Sequence, residues 1–461
     1  MAKRSDPASR RPPHRSTPKP QPALTVTNPR AAGIDVHDGV HWVAVPRDRD
    51  SQPVRPFGAF TVDLEAIADW LTACGVDTVA MESTGVYWIP LYELLERRGF
   101  RVNLVDARAV AKVDGRPKTD IHDCQWIQRL HSYGLLEKAF RPQDDIVVLR
   151  GFVRQRQTLI AYASQHIQHM QKALVMMNLK LTLVVSDIVG KTGMGIIKAI
   201  LAGERDPVVL SQWRDERCKH THQEIAKALM GNWREEHLLA LRQAAELYEF
   251  YHSKITECDQ AIDAYLGRLP NRAGDRPLEK RPTKRKYKDN EPTFDARKRL
   301  YEMLGVDLTA IDGISIGVAL TIASELGCDV GAFRNEKAFS NWLGLAPNHK
   351  ITGGKIKGRK TRPGANRIAT GLRMAAASLL RTPTALGAFG RRMRSRVGSP
   401  KAITAIAHKL AKLVYRMLKY GEDYVKQGAE EYEAKYRERQ LGALRRTAAA
   451  LGFRLESQAT N

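Results

Sequence analysis

The sequence predicts an α/β fold followed by mainly α-helical domains. Up to about residue 145, short apolar runs typical of strands alternate with helical segments. From residue 146 onward, apolar residues recur at helical spacing over long stretches. The chain has 461 residues, of which 43% are hydrophobic, so two or three domains can each bury a core.

The first domain is predicted to contain a mixed sheet. Its strand-like apolar runs are residues 34–36, 40–45, 76–81 and 101–105. Asp38 and Gly39 separate the first two runs and indicate a tight hairpin turn. A helix that ends at Gly99 precedes the last run, and another begins near Thr119, a plausible N-cap. This order fits an RNase H/RuvC-like mixed sheet over residues 30–145 better than an all-parallel sheet.

The middle of the chain carries two apolar repeats with coiled-coil spacing. The first repeat is Leu149, Val153, Arg156, Ile160, Ala163, Ile167, Met170, Leu174, Met177 and Leu181. The second is Leu241, Ala244, Tyr248, Tyr251, Ile255, Cys258, Ile262, Tyr265 and Leu269. Each runs over about four heptads, so we predict a long coiled-coil helical hairpin at residues 146–270. Such a hairpin can carry self-association or form an intramolecular arm.

The remaining boundaries follow from composition. Residues 1–29 are rich in basic residues, Pro and Ser and are interpreted as a disordered basic tail. Residues 271–296 resemble a Pro-rich basic linker. Residues 297–425 are predicted to form a mostly helical domain whose last clear helix covers 400–420. Residues 426–461 are interpreted as a charged, peripheral tail.

The overall charge favours a polyanionic partner. Lys and Arg number 74 against 50 Asp and Glu, a formal net charge of +24, and nucleic acid is the usual partner of such a protein. A merely basic structural protein remains the alternative.

The cysteines and the apolar runs predict a cytoplasmic protein without a disulfide framework or a membrane partner. The five cysteines are scattered and form no CxxC pair, and no apolar run is near the length of a membrane span.

Four acidic residues stand at positions where carboxylates are functional. Asp35 lies within the first predicted strand and Glu82 at the end of a later one, while Asp120 and Asp123 share one face of a helix. Oxygen ligands gathered in this way select a hard ion such as Mg²⁺ or Mn²⁺, which can drive phosphodiester cleavage. Asp120 or Asp123 taken alone would more often be a helix cap or a solvated residue, so the prediction depends on the order Asp, Glu and DxxD on strand, strand end and helix.

A second constellation lies in the C-terminal domain. In KITGGK, Thr352 precedes two residues, Gly353 and Gly354, that permit a sharp turn and close approach of the backbone to a ligand. The surrounding cations predicted to bind nucleic acid are Lys355, Lys357, Arg359, Lys360 and Arg362, together with Lys118 beside the acidic helix. The alternative is a solvated basic loop that only contacts backbone phosphate.

Three other motifs leave function open or argue against it. Residues 311–327 resemble a helix-hairpin-helix, in which Gly313 and Gly317 would expose amides to DNA phosphate, or else a tight helix-helix turn. VGKTGMG lacks the first glycine of a P-loop, and CKHTH lacks zinc-finger spacing, so we expect neither ATP nor zinc there.

Together these motifs resemble the DEDD-type insertion-sequence transposases, a family that includes recombinases guided by a bridging RNA. GIDVH, MESTGVYW and KTDIHDCQW match the family's Asp, Glu, Asp, Asp positions, and IDGIS and WLGLAP follow in family order. The resemblance covers about residues 31–425. It implies a RuvC-like catalytic domain, a coiled coil and a serine-type transposase domain, in a bacterial protein associated with the nucleoid.

The resemblance also implies a mechanism. Divalent metal held by Asp35, Glu82, Asp120 and Asp123 would polarise a DNA phosphate, and a hydroxyl from another subunit would attack it. The implied partners are DNA, a guide RNA and further copies of the chain in a dimer or tetramer. Where the family has a serine nucleophile, this sequence has Thr352, whose additional methyl group crowds the attack.

Three functions therefore compete. The leading interpretation is a DNA transposase or recombinase that cuts, exchanges and rejoins strands of an insertion sequence. The second is a RuvC-like, structure-specific endonuclease that uses water, motivated by the missing serine. The third is a catalytically inactive DNA- or RNA-binding protein, for which the net charge of +24 would suffice.

Overall fold

The structure is a computed structural model that describes residues 25–83, 85–105, 119–280, 290–353, 355–358, 360–362, 364 and 366–454. Several positions singled out above lie outside these residues: Lys118, Gly354, Arg359, and parts of the predicted tails and basic linker. The chain divides into two compact units, one ending at Arg141 and the other beginning at Pro142.

The first unit is built on a five-stranded mixed sheet. Its strands are β1 (Ala31–Val36), β2 (Val40–Ala44), β3 (Val54–Gly58), β4 (Thr78–Glu82) and β5 (Arg101–Val105). They lie in the order β3-β2-β1-β4-β5. β1, β2 and β3 pair antiparallel, whereas β4 runs parallel to both β1 and β5. The predicted RNase H-like mixed sheet is therefore confirmed.

Helices pack against both faces of this sheet. They are α1 (Thr61–Ala73), α2 (Trp88–Arg97) and α3 (Asp120–Ser132). The main core contains Ile34 and Met81 from the strands together with buried residues of α1 and α2. On the opposite face Ile127 of α3 packs against Ala80 of β4. Because side chains alternate along a strand, β1 and β4 present different residues to these two layers.

Two elements of this unit, β3 and α1, were not predicted from the sequence patterns. β3 contains Pro56, which has no N–H group to donate and is tolerated because β3 lies at the sheet edge. α1 buries Ile67 and Leu71 on one face, and the backbone N–H of Phe60 donates to Asp63 Oδ2 at 3.1 Å. The N-cap residue is Phe60, so the start of α1 lacks the Ser, Thr or Asn that usually marks an N-cap.

The second unit begins with a helical region dominated by two long helices. Its helices are α4 (Asp144–Met176), α5 (Leu181–Val184), α6 (Lys191–Leu201), α7 (Pro207–Ser211), α8 (His222–Ala228) and α9 (Glu235–Leu266). α4 has 33 residues and α9 has 32, and their apolar faces share one core. The two apolar repeats lie in and just beyond these helices, so a helical pair is present, while its coiled-coil role stays a prediction.

One polar pair interrupts the core between the long helices. Arg156, at a repeat position of α4, donates to Asp259 of α9 through Nε at 2.5 Å, and both side chains are buried. Asp259 also accepts the backbone N–H of Thr293 at 3.0 Å, and Arg156 donates to the carbonyl of Asn290 at 3.2 Å. Removal of either charge would leave the other unpaired in the core. Through Asn290 and Thr293, this pair holds the last residues of the predicted linker against the two long helices.

The rest of the second unit is mostly helical. Its elements are α10 (Ala296–Leu304), a 3-10 turn (Leu308–Ala310), α11 (Ile316–Leu326), α12 (Glu336–Trp342), β6 (Lys350–Thr352), β7 (Lys355–Gly358), α13 (Arg367–Leu379), α14 (Ala385–Val397), α15 (Ser399–Tyr420) and α16 (Glu422–Ala450). Arg154 of α4 donates two hydrogen bonds, of 2.7 and 2.8 Å, to the carboxylate of Glu325 of α11. Gln157 donates to Thr321 at 3.0 Å beside it. These contacts bind α4 to the C-terminal helices.

The P-loop-like residues have structural partners. Within the described residues 119–280, the element directly before Gly190 is the short helix α5 and not a strand, and Gly190 itself lies just before the first residue of α6. Lys191 forms an ion pair with Asp215 at 3.1 Å, and Thr192 Oγ1 accepts the backbone N–H of Asp215 at 2.9 Å. Both side chains stabilise a loop, which accounts for them without a nucleotide.

The CKHTH residues form the start of α8. Thr221 caps this helix by accepting the backbone N–H of Glu224 at 3.2 Å. His222 Nδ1 lies 2.9 Å from the carbonyl of Ser211, and His220 lies 3.5 Å from Glu224. The two histidines therefore have separate partners. Among all the described helices, none is both long and apolar enough to cross a membrane.

Candidate active site

The sheet places two of the predicted carboxylates side by side. β1 pairs with β4 in parallel, with Gly33 beside Ala80. Two residues further along each strand are Asp35 and Glu82, which consequently point to the same face of the sheet. Asp35 is only 8% exposed although it carries a carboxylate. A buried carboxylate at this depth is costly without a positive partner.

Gly33 allows α3 to lie directly on the sheet beside these carboxylates. A Cβ atom on Gly33 would lie 2.7 Å from Cα of Gln128 and closer still to the backbone N of Gln128 and the carbonyl oxygen of Cys124. Any side chain would therefore push α3 away. The contact brings the first turn of α3, with Asp120 and Asp123, to the end of β1.

The start of α3 is defined locally. Thr119 has an extended backbone, and its hydroxyl accepts the backbone N–H of His122 at 3.3 Å, as expected for an N-cap. The two aspartates follow in the first helical turn, where the positive end of the helix dipole favours negative charge. His122 Nδ1 lies 2.6 Å from the Thr119 hydroxyl, so this histidine belongs to the cap.

A histidine that the sequence analysis did not select completes the cluster. His37 Nε2 lies 3.2 Å from Asp35 Oδ2 and 3.7 Å from Asp120 Oδ1. One potential ligand atom from each of these three residues lies within 4.8 Å of the others. The available signal was the spacing in GIDVH, since residue 37 follows Asp35 by two and a strand that continued past Val36 would place both side chains on the same side.

The electrostatic environment of Asp35 reflects this crowding. Burial raises the pKa of the Asp35 carboxyl, and the negative charges of Glu82 and Asp123 raise it further. The neighbouring His37 acts in the opposite direction through its charge and its hydrogen bond. Asp35, Glu82 and Asp123 therefore interact electrostatically, and a cation at the cluster would relieve their repulsion.

The cluster offers oxygen and nitrogen ligands rather than sulfur. Burial raises the pKa of the nearby Cys124 thiol to about 12, with a smaller contribution from Asp35, and the Sγ–H donates to the carbonyl of Ile121 at 3.2 Å. The thiol thus stays protonated at neutral pH and is a poor metal ligand. Carboxylates with one imidazole instead fit a hard or borderline divalent cation.

Thr352 lies in a very different setting. It ends β6, which pairs antiparallel with β7 so that Thr352 lies opposite Lys355. The side chain is exposed, and none of the described residues hydrogen bonds to its hydroxyl. Gly353 has φ of 55°, a left-handed conformation that favours glycine at the turn. The neighbouring cations Lys355, Lys357, Lys360 and Arg362 are all exposed.

The helix-hairpin-helix-like segment contains a tight turn before α11. Gly313 has φ of 86°, and a Cβ on it would lie 2.8 Å from Cγ of Leu379, so close packing explains this glycine. Ser315 caps α11 by accepting the backbone N–H of Val318 at 3.3 Å. Gly317 in contrast borders open space. A tight helix-helix turn therefore explains why residue 313 is a glycine, whereas contact of Gly317 with DNA phosphate stays a prediction.

Two models of known protein families match the chain, one over the carboxylate cluster and the other over the segment that contains Thr352. A family model for DEDD transposases of IS110, described as a transposase, matches residues 32–178. A second, described as the transposase IS116/IS110/IS902 family, matches residues 306–390. No curated protein matches the chain.

The matched segments contain the residues described above. The first includes the four predicted carboxylates, the second includes Thr352, and together they cover about half of the chain. DEDD-type transposases act on DNA and depend on divalent metal. The chain belongs to the IS110 family of DEDD-type transposases.

Proposed function

We propose that the protein cuts, exchanges and rejoins the DNA strands of an insertion sequence, using the carboxylate cluster (Asp35, Glu82, Asp120 and Asp123) and the hydroxyl of Thr352. The single observation that carries this proposal is the gathering of Asp35 and Asp120 near the carboxyl end of the central strand β1, with Glu82 and Asp123 close enough to raise the pKa of Asp35. Such an arrangement is costly unless a cation offsets the charge.

The cluster fits Mg²⁺ or Mn²⁺ as the metal. Asp35 and Glu82 would hold it from the sheet, and Asp120 and Asp123 from α3. When bound, a divalent ion would stabilise negative charge on the scissile phosphate and the leaving oxygen. The buried position of Asp35, which is 8% exposed, would keep these ligands fixed relative to one another.

Thr352 is proposed as the nucleophile. Its Oγ would bond to the scissile phosphorus while the bond from phosphorus to a deoxyribose oxygen breaks. The hydroxyl proton would pass to solvent, and the leaving oxygen would take up a proton. In the return step a deoxyribose hydroxyl of another strand would attack the threonine phosphodiester and release Oγ. Each exchange conserves one phosphodiester bond, so no ATP is required.

The residues around Thr352 support DNA contact. Lys355, Lys357, Lys360 and Arg362 are exposed along the same hairpin and the loop after it. They would bind backbone phosphate and orient the strand for attack, without reading its sequence. From their sequence positions, Gly354 and Arg359 are proposed to contribute to DNA contact next to Thr352, and Lys118 to DNA contact next to Thr119 and α3.

The decisive experiment measures a covalent adduct between the protein and labelled DNA of the element ends. The wild-type protein is expected to form an adduct that resists denaturation, and Thr352→Ala to lose the adduct while it retains DNA binding. Asp35→Asn should also lose it. If instead Thr352→Ala cleaves DNA at the wild-type rate and releases free ends, the protein is a water-using endonuclease.

Two further parts of the proposal concern partners. The carboxylates and Thr352 would come from different copies in a dimer or tetramer. A mixture of Asp35→Asn and Thr352→Ala proteins should then regain activity that neither has alone.

A guide RNA would supply sequence specificity, leaving the protein to contact nucleic-acid backbones. Sequencing of nucleic acid that copurifies with the protein would reveal one recurring structured RNA, or contradict this part.

A further inference from the structure

His37 is not one of the four acidic positions, yet its imidazole lies close to two of them, Asp35 and Asp120. Its Nε2 atom approaches Asp35 Oδ2 at 3.2 Å and Asp120 Oδ1 at 3.7 Å. These oxygens come from different elements, β1 and α3. The imidazole side chain is 50% exposed, so it stands at the solvent side of the cluster.

We propose that His37 is a metal ligand, which binds through Nε2 the same divalent cation as Asp35 and Asp120. The inference rests on the proposed use of metal by the carboxylate cluster. It goes beyond that proposal because it adds a nitrogen donor to the metal site.

Both distances from His37 Nε2 are compatible with a shared ion, and one ligand atom from each of the three residues lies within 4.8 Å of the others. With metal–ligand bonds of about 2.1 Å, ligand atoms of an octahedral ion lie about 3 Å apart when adjacent and about 4.2 Å apart when opposite. The distances from Nε2 to the two carboxylate oxygens, 3.2 and 3.7 Å, lie between these limits. One ion could therefore contact all three groups after only small side-chain adjustments.

A nitrogen ligand changes which metal the site prefers. Mg²⁺ favours oxygen ligands and keeps its water, whereas imidazole suits transition ions. The site should consequently prefer Mn²⁺ over Mg²⁺ more strongly than an all-carboxylate site. The competing interpretation is that His37 merely hydrogen bonds to Asp35 and is displaced when metal binds.

Pulsed electron paramagnetic resonance of the Mn²⁺-loaded, untagged full chain separates these interpretations. A ligating imidazole gives a ¹⁴N coupling in the electron spin echo modulation, and a displaced imidazole gives none. We expect the coupling in the wild-type protein and its loss in His37→Gln. The Kd of Mn²⁺, measured by titration, should rise about tenfold in His37→Gln, and that of Mg²⁺ by much less.

His122→Gln is the matched control, because His122 lies in the same helical turn as Asp120 and Asp123 but contacts Thr119. It should keep both the coupling and the Mn²⁺ affinity. Asp35→Asn should lose Mn²⁺ binding. If Asp35→Asn binds Mn²⁺ as the wild type does, the proposed metal site itself fails.

A different outcome overturns only the His37 proposal. If Mn²⁺ binding depends on Asp35 but the wild-type protein shows no ¹⁴N coupling, His37 is not a ligand and the carboxylate site stands. The same conclusion follows if His37→Gln keeps the coupling. Absence of the coupling from the wild-type spectrum overturns the His37 proposal without any variant, whereas a coupling that is present is assigned to His37 by its loss in His37→Gln and its retention in His122→Gln.

Discussion

The carboxylate cluster and the Thr352 hairpin (β6 and β7 with the turn between them) are held by very different amounts of surrounding protein. Asp35 is 8% exposed on an inner strand, with α3 packed directly on Gly33 of the same strand. Thr352 ends a three-residue strand with exposed neighbours.

This difference indicates how each region prepares for chemistry. The cluster is preorganised by the packing of β1, β4 and α3. The folded protein holds its carboxylates close together despite their mutual repulsion, which a bound cation would offset. The hairpin gains little from packing, so substrate contacts must orient Thr352. Changes in the cluster should therefore alter both stability and activity, whereas changes in the hairpin should alter activity alone.

The largest effect is expected from Asp35→Asn. DNA strand transfer should fall by about three orders of magnitude or more, equivalent to about 4 kcal/mol. The metal-free protein should nevertheless become more stable at pH values above the raised pKa of Asp35, because that raised pKa means that ionisation of the carboxyl destabilises the native state. Urea unfolding in the presence of a chelator measures this gain, and a loss of stability would contradict the proposed charge repulsion.

Gly33→Ala tests whether close approach of α3 prepares the cluster. The new methyl group would meet the backbone of Gln128 and Cys124, so we expect a destabilisation of about 3 kcal/mol and weaker Mn²⁺ binding. Gly39→Ala is the matched control, since a Cβ there meets nothing within 4 Å. Chemical denaturation and metal titration of both variants should show a change only in Gly33→Ala.

His131 should make the stability of the first unit depend on pH. Burial lowers the pKa of this imidazole to about 4, and Nε2 lies 2.9 Å from the hydroxyl of Thr78. Below about pH 6.5 the imidazole becomes protonated in the unfolded chain but stays neutral in the native state. The free energy of unfolding therefore decreases as the pH is lowered. From about pH 7.5 to about pH 5 we expect a loss of about 2 kcal/mol.

The control for this pH effect is His131→Gln, which keeps a donor towards Thr78 but cannot titrate. Unfolding free energies at both pH values should show a loss in the wild-type protein that exceeds the loss in the variant by about 2 kcal/mol. An equal loss in both proteins would assign the pH dependence to other groups.

The smallest effect is expected from Thr352→Ser. Removal of the methyl group should speed adduct formation a few-fold, or about 1 kcal/mol, because in-line attack becomes less crowded. The free energy of unfolding should stay within about 0.5 kcal/mol of the wild-type value, since the side chain is exposed. Adduct rates and thermal unfolding give both quantities, and a large change in stability would remove the contrast between the two regions.

Local patterns in the sequence identified four of the five strands described in the first unit. Apolar runs marked β1, β2, β4 and β5, and Thr119 marked the start of α3. β3 and α1 escaped because Pro56 is unusual in a strand and α1 lacks a polar N-cap residue. Pairing across the sheet, which decides whether such exceptions are tolerated, is not visible in a local pattern.

By itself the sequence determined the chemical groups, their order and their local conformations, since these depend on residue type and short-range spacing. It thereby indicated Asp35, Glu82, Asp120, Asp123 and Thr352 as candidates. Only the tertiary structure decided that His37 lies between Asp35 and Asp120, and that Gly33 is the point where α3 lies on β1. Such proximity arises from packing between elements far apart in the chain, whose geometry no single segment encodes.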